Sequence, residues 1–148
     1  MFKKIVVGVD GSATSDNAVR IACDLAGKYD SDIYLVHTPQ PQTVAFAMGA
    51  VAGYHAVTTM PSHDEVVEAA NRITSDATAI AKECGREIAG TFTEQGDPGT
   101  HIIEATQEVG ADLIVTGRRG LGSIGSLVQG STSQRVNHLA KCATLSVI

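Results

Sequence analysis

The sequence lacks any run of lysine or arginine, and its formal net charge at neutral pH is -5. A surface for duplex nucleic acid needs clustered basic side chains that neutralise phosphates, so no nucleic-acid partner is expected. An acidic protein can still hold an anion locally, because oriented backbone N–H groups supply the positive charge. The charge pattern therefore excludes a nucleic-acid surface but leaves room for a local phosphate site.

Cysteine is scarce and unpaired in the sequence. The three cysteines, Cys23, Cys84 and Cys142, form no CxxC pair, which excludes a disulfide framework and a zinc ribbon and predicts buried structural thiols. The histidines are scattered too, and the pair His55 and His63 lacks a further ligand at metal-site spacing. No metal site built by the protein itself is expected.

Long hydrophobic runs are also missing. The apolar stretch that begins at Ile5 is too short for a signal peptide and ends at Asp10 without a cleavage site. The segment Val44–Gly53 is apolar but too short and too rich in glycine to span a membrane, and it predicts a mobile segment or a partial helix. We therefore expect no membrane span and a cytoplasmic protein.

The composition is that of a globular protein. Hydrophobic residues make up 43% of the chain and charged residues 18%, unlike the dense charge of a disordered chain. A length of 148 residues is enough to bury a core without metals or disulfides. We expect residues 1–148 to form one domain.

Short apolar runs alternate with segments of helical periodicity. Ser12 is the expected N-cap of the first helix, and Ser62 with Glu65 forms a capping-box pattern before the second. The alternation predicts βαβ units and an α/β fold, with one parallel sheet covered by helices on both faces. The predicted strands are Ile5–Val9, Asp32–His37, Glu87–Glu94, Asp112–Thr116 and Thr144–Ile148, and the predicted helices are Ala13–Tyr29, Ser62–Gly85, one after the loop Gln95–Gly99, and Ser131–Ala140.

Glycines and hydroxyl side chains concentrate between the fourth strand and the last helix. The chain there reads Gly117-Arg-Arg-Gly120, then nine residues, then Gly130-Ser-Thr-Ser133. Without a β-carbon, the backbone can approach a polyphosphate closely and turn successive N–H groups toward it. The second cluster falls at a helix start, where free N–H groups and the positive dipole end favour phosphate. The spacing predicts a phosphate-binding loop.

Three other nucleotide-binding classes do not fit the sequence. A P-loop protein needs Gly-x-x-x-x-Gly-Lys-Ser/Thr, and no such string occurs. A flavodoxin places its hydroxyl-rich phosphate loop directly after the first strand, where this chain has only Asp10-Gly-Ser-Ala-Thr14. A receiver domain needs an acidic pair at the same position, and Asp10 stands there alone.

The loop resembles that of the universal stress protein family, specifically its ATP-binding branch. Gly117, Gly120, Gly130 and Ser131 match the loop pattern of that branch, and the opening Lys3–Ser12 is similar to the family's first strand and turn. The resemblance covers the whole chain. It implies a three-layer, open, parallel five-stranded sheet of order 3-2-1-4-5, a Rossmann-like fold of the adenine nucleotide alpha hydrolase type, with nucleotide between strands one and four.

The resemblance also implies a set of site residues. ATP, ADP or AMP would bind, with magnesium or manganese carried by the nucleotide rather than by a protein cage. Asp10 would flank adenine and ribose, or else the metal-phosphate end. Gly8 and Val9 would take the same position as Asp10. The backbone of Thr38 would contact adenine, Thr116 and Gly117 would line the ribose, and the phosphates would be held by Gly120, Gly130, Ser131, Thr132 and Ser133.

Nearby basic side chains are assigned by loop and strand position. Arg118 and Arg119 are adjacent in a loop and diverge, so at most one reaches the nucleotide, and Arg118 is the candidate. His37, at a strand end, is interpreted as a packed structural residue. His101 and His138 fall on helices and are expected at the surface or an interface. The last strand, Thr144–Ile148, predicts a homodimer if its edge pairs with another copy.

Efficient phosphoryl transfer needs a positioned base and fixed cations, and the sequence offers no convincing set. A nucleotide-dependent regulatory module in the stress response is therefore favoured, in which ATP changes a surface that an unidentified protein partner reads. Two alternatives stay open. One is slow ATP hydrolysis or transfer to Ser131 or Ser133, and the other is a dimeric interaction protein without nucleotide that uses Val44–Gly53.

Overall fold

The structure is a computed structural model and describes residues 1–49, 60–121 and 130–148. Its elements lie within two residues of the predicted boundaries, apart from α2, which begins before the segment predicted to be mobile or a partial helix. The strands are β1 (Lys4–Gly8), β2 (Asp32–His37), β3 (Ile88–Thr93), β4 (Leu113–Gly117) and β5 (Ala143–Val147). The helices are α1 (Ala13–Tyr29), α2 (Pro41–Ala47), α3 (His63–Glu83), α4 (Pro98–Val109) and α5 (Ser131–Leu139).

The five strands form one parallel sheet in the order β3-β2-β1-β4-β5, which confirms the predicted α/β fold and strand order. The central strand, β1, has apolar residues on both sides of the sheet. Ile5 and Val7 pack with α1 and α3, whereas Val6 packs with α4 and α5. Two apolar layers on opposite faces of the sheet follow from this alternation.

Helix starts are set by local hydrogen bonds. The side chain of Ser12 accepts from the Ser15 N–H at 3.2 Å, and Ser62 and Glu65 form the predicted capping box. At α4 the Asp97 carboxylate accepts from the Thr100 N–H at 2.8 Å. Helix α5 differs, because its N-cap is Gly130 and no side chain within the described ranges caps it. Its first N–H groups are therefore available to a ligand.

The apolar segment after β2 begins as a helix. Pro41 cannot donate to a strand ladder but suits the first turn of a helix, and α2 starts there, three residues before the predicted segment Val44–Gly53. Val44 and Ala47 pack into the core on the α1 and α3 side, while Phe46 is partly exposed. Residues 50–53 of that segment lie outside the described residues, as do residues 122–129 of the glycine loop.

Within the parts of the chain that the structure describes, no helix has both the length and the apolar character needed to cross a bilayer.

Candidate functional site

A cavity of about 1010 Å³ opens at the carboxyl ends of the central strands. Its wall is built by the ends of β1, β2 and β4 and by the first turns of α1, α4 and α5. Strand order reverses between β1 and β4, and open α/β sheets bind ligands at such a switch point. Because the helices start here, their positive dipole ends converge on the cavity and favour an anion.

The predicted site residues come from four separate stretches of the chain, and the fold brings all but one of them to this cavity. The exception is Arg118. Those on the wall are Gly8, Val9, Asp10, Thr38, Thr116, Gly117, Gly120, Gly130, Ser131, Thr132 and Ser133.

The two loop arginines lie differently from the prediction. Arg118 is exposed and contributes its backbone, with its N–H donating to the Val147 carbonyl at 2.6 Å and its carbonyl accepting from the Gly130 N–H at 2.8 Å. Arg119 is half-buried and lies on the cavity wall. Of the two arginines, Arg119 therefore lines the cavity and Arg118 does not.

The turn after β1 is held rigidly by its own side chains. One carboxylate oxygen of Asp10, Oδ1, accepts from the N–H of Ser12 at 2.9 Å and from its hydroxyl at 2.5 Å. The other oxygen, Oδ2, faces Gly120, where an added β-carbon would lie only 2.6 Å away. Asp10 therefore both builds the start of α1 and sits directly under the glycine loop.

Two glycines of the loop are required by packing against the α1 start. A β-carbon on Gly117 would lie 2.7 Å from Thr14 Oγ1 and 3.1 Å from the Thr14 carbonyl carbon. The Thr14 hydroxyl in turn donates to the Arg119 carbonyl. A side chain at either Gly117 or Gly120 would push the loop off the β1–α1 turn, so these glycines set the position of the loop itself.

The first turn of α5 closes one side of the cavity. The Ser133 side chain is buried, and its hydroxyl donates to the carbonyls of Arg118 and Gly130, each at 3.1 Å. Its hydroxyl proton is thus used in tying the loop to the helix, whereas Ser131 is exposed and Thr132 half-buried at the wall. Ser131 and Thr132 thus line the cavity at the uncapped start of α5.

Thr38 is anchored at the end of β2 by a buried contact. Its hydroxyl lies 2.7 Å from Nδ1 of His101, and both residues are buried. The expectation that His101 lies at the surface is wrong, because the residue falls on the inner face of α4. His138 is exposed as expected and also lines the cavity.

Sequence reasoning missed the walls contributed by α2 and α4. Gln40 and Thr43 flank the start of α2, and Asp97 and Arg135 face each other at 3.1 Å between Oδ2 and Nε. The Thr100 N–H and, after it, Arg135 lower the pKa of the Asp97 carboxyl. Asp97 could have been predicted as a wall residue, because its loop follows a strand whose carboxyl end lies at the same edge of the sheet.

His37 is a buried titratable group at the end of β2. Its Nδ1 lies 2.8 Å from the Val9 carbonyl, which can only accept, so Nδ1 carries the proton. Its Nε2 is buried and has no hydrogen-bond partner among the residues that the structure places. Burial lowers the pKa of His37, because a charge there would lose its hydration. A packed, neutral structural histidine is what the sequence predicted.

This burial gives an expected pH dependence of stability. The unfolded chain takes up the His37 proton near the ordinary pKa of about 6.5, but the folded chain does so only at lower pH. Stability is therefore full above that value and is lost as the pH falls below it, by about 1 kcal/mol between pH 7.5 and 5.5. Urea unfolding at the two pH values measures the loss. In His37→Gln the difference should shrink, and an unchanged difference would assign it to other groups.

Among residues 1–49, 60–121 and 130–148, no group of three or more His, Cys, Asp or Glu side chains is placed to hold a metal ion. The carboxylate of Asp10 offers hard oxygen at the cavity. This donor set fits a divalent cation that arrives with a phosphate ligand and keeps most of its water.

The open parallel sheet, with a cavity at its switch point, defines a Rossmann-like α/β protein. A sequence model described as the universal stress protein family matches residues 1–147. The chain therefore belongs to the universal stress protein family.

Individual relatives agree over the full length. The chain is 33% identical over 151 residues to a universal stress protein of Thermus aquaticus, covering 99% of both chains. It is 29% identical over 153 residues to the universal stress protein YxiE of Bacillus subtilis, again covering 99% of both. A crystal structure of a universal stress protein in complex with cAMP superposes with a TM-score of 0.69 at 25% identity, covering 99% of this chain and 97% of the other.

Proposed function

We propose that this chain binds ATP at the switch-point cavity and acts as a nucleotide-dependent regulatory module in the stress response. The observation that carries the proposal is that Gly117 and Gly120 lie against the β1–α1 turn while the uncapped start of α5 lines the same cavity. The related protein solved with cAMP supports an adenine nucleotide as the ligand, since cAMP contains the adenine, ribose and one phosphate of ATP.

The charges of the cavity favour the phosphate end at α5. The N–H groups of the first turn of α5 have no side-chain cap, and oriented N–H groups of this kind bind phosphate oxygens. Arg119 adds a cation on the wall, and Asp10 supplies the oxygen that a magnesium or manganese ion on the nucleotide needs. In this proposal Gly120, Gly130 and Ser131 through Ser133 hold the phosphates.

Adenine and ribose would then occupy the part of the cavity between β1, β2 and β4. Gly8 is close to Ile102, whose Cδ1 lies 2.7 Å from where a β-carbon of Gly8 would be, so the floor there is tight and apolar. Because the Thr38 hydroxyl is engaged by His101, its backbone is the group proposed for the adenine edge. Thr116 and Gly117 are proposed to line the ribose.

A thermal-shift titration tests this function. If MgATP binds only the folded chain, a concentration 100-fold above Kd stabilises it by about 2.7 kcal/mol, which raises Tm by roughly 5–10 °C. Parallel titrations with ADP, AMP and cAMP show how the affinity depends on the length of the phosphate chain. No saturable shift with any of the four would remove the proposal and favour an interaction protein without nucleotide. Saturation by cAMP or AMP but not by ATP would show that the ligand is a nucleoside monophosphate rather than a triphosphate.

A regulatory role is proposed over catalysis for two reasons. The Ser133 hydroxyl donates to two carbonyls and is buried, which makes it a poor phosphate acceptor. Ser131 is exposed, but no histidine or carboxylate contact to its hydroxyl occurs in the described part of the chain, and phosphoryl transfer needs a positioned base. Phosphate release by the purified protein at enzyme-like rates would favour the enzymatic alternative instead.

We propose further that the chain forms a homodimer through its last strand. Strand β5 lies at one edge of the sheet, and Ala143, Thr144 and Leu145 are exposed along it. An exposed edge offers unpaired N–H and C=O groups to a second copy. Leu139 and Ile148 add exposed apolar surface near the same edge, which a partner strand and helix would cover.

A further inference from the structure

Two cysteines that lie far apart in the sequence face each other between α1 and α3. Cys23 is buried on α1, and Cys84 is the exposed C-cap residue of α3. Two independent contacts bracket the pair. Before Cys23, Arg20 lies 3.8 Å from Glu83, and after it, a β-carbon on Gly27 would lie 2.9 Å from Nη2 of Arg86. The helices are therefore in register at this point.

The same two contacts place Cys84, at the end of α3, beside the Cys23 thiol on α1. Burial, and after it the nearby Cys84, raises the pKa of Cys23 to about 11, so Cys23 stays protonated near neutral pH. Cys84 is the thiol that a reagent in solvent reaches. The first oxidation step therefore belongs to Cys84.

Cys84 also sits where the backbone can adjust. Helix α3 ends there, and Gly85 follows in the left-handed region with φ of 73°. The Cys84 N–H still donates within the last turn, but its side chain projects from a helix terminus rather than from a packed interior. A disulfide requires a narrow range of Cβ and sulfur geometry, and a helix end can reach it with little displacement.

We propose that Cys23 and Cys84 are a redox modification site that forms a reversible intramolecular disulfide on exposure to a peroxide. The Cys84 sulfur attacks one peroxide oxygen, the O–O bond breaks, and one water leaves as Cys84 becomes a sulfenic acid. The Cys23 sulfur then attacks the Cys84 sulfur, the S–O bond breaks and a second water leaves. Both cysteines are oxidised by one electron each, and hydrogen peroxide is reduced to two waters.

The third cysteine offers an internal control. Cys142 packs in the apolar layer on the α4 and α5 side of the sheet, whereas Cys23 packs on the α1 and α3 side. The sheet separates the two, so Cys142 cannot pair with Cys23. Transient disulfides of this kind are compatible with a reducing compartment, where persistent ones are rare. Formation of the disulfide does not depend on nucleotide binding.

Thiol counting and peptide mapping test the site. The reduced full-length chain has three thiols, and treatment with a small excess of hydrogen peroxide is expected to leave one. Digestion without reductant should yield one linked peptide pair containing Cys23 and Cys84, and dithiothreitol should restore all three thiols. In Cys142→Ser the same linked pair should form. In Cys84→Ser no linked pair should form, and because Cys84 is exposed this variant is expected to fold.

Several outcomes would overturn the proposal. Oxidation of Cys84 to sulfinic acid with Cys23 still a free thiol would show that the two sulfurs do not meet. A linked dimer on a non-reducing gel would assign the reaction to exposed Cys84 residues of two chains. Retention of all three thiols would show that peroxide does not reach the site.

Discussion

Replacing Gly130 with valine is expected to weaken ATP binding by about 100-fold or more while the chain remains folded. The β-carbon would lie 3.3 Å from the Arg118 carbonyl oxygen and 3.7 Å from the Gly120 nitrogen, and the two valine methyls would extend into the gap between loop and helix. Losing even two hydrogen bonds to a charged phosphate removes this much affinity. Isothermal titration with MgATP gives the ratio of Kd values.

The fold should tolerate that change. Gly130 has φ of -59° and ψ of 147°, an ordinary extended conformation that valine adopts, and its N–H bond to Arg118 is kept. The free energy of unfolding should fall by only about 1 kcal/mol. Gly27→Val is the matched control, since Gly27 is exposed on α1 and meets only the flexible end of Arg86. Equal ATP affinity in folded Gly130→Val and Gly27→Val would show that ATP does not bind at this loop.

Arg119→Ala is expected to lower ATP affinity by roughly 10- to 100-fold, the range for losing a hydrogen bond to a charged group. Arg119 lines the cavity, and alanine keeps the backbone carbonyl that accepts from Thr14. Arg118→Ala is the matched control, because it removes the same charge from the neighbouring exposed position and keeps the bonds from its backbone to Val147 and Gly130. We expect its Kd to change by less than about twofold.

The comparison separates a specific contact from general electrostatics. If both variants lost affinity equally, the effect would come from net charge and would fade as salt rises, since exposed charges are screened beyond about 10 Å at 0.1 M salt. If only Arg118→Ala lost affinity, the original assignment from the sequence would be correct and the loop would close differently around ligand. AMP titrations of Arg119→Ala show whether the lost contact lies at the outer phosphates.

Local patterns in the sequence were enough to predict the strands and most of the helices. Continuous apolar runs such as Ile33–Val36 fit strands buried on both faces, and Ser12 and Ser62 marked helix starts because their side chains replace missing backbone partners. The order of the strands rested on the resemblance to universal stress proteins, since no local pattern states which strands are neighbours. The boundary of α2 was missed because Pro41 both stops a strand and starts a helix.

Part of the cavity followed from the same logic. Carboxyl ends of parallel strands meet at one edge, so residues after β1 and β4 and at the start of α5 could be expected together. Asp97 and Gln40 could have been added by applying this rule to β3 and β2. His101 could not, because its burial depends on which face of α4 meets Thr38.

By itself the sequence determined the α/β fold, the glycine-rich segment after β4 and the start of the last helix, since each depends on neighbours along the chain. Only the tertiary structure decided that Arg119 rather than Arg118 lines the cavity, and that the end of α3, with Cys84, lies beside Cys23 on α1. The physical reason is the same in both cases. Backbone pairing of Arg118 with β5 and the register between α1 and α3 are contacts between distant segments, and no local pattern encodes them.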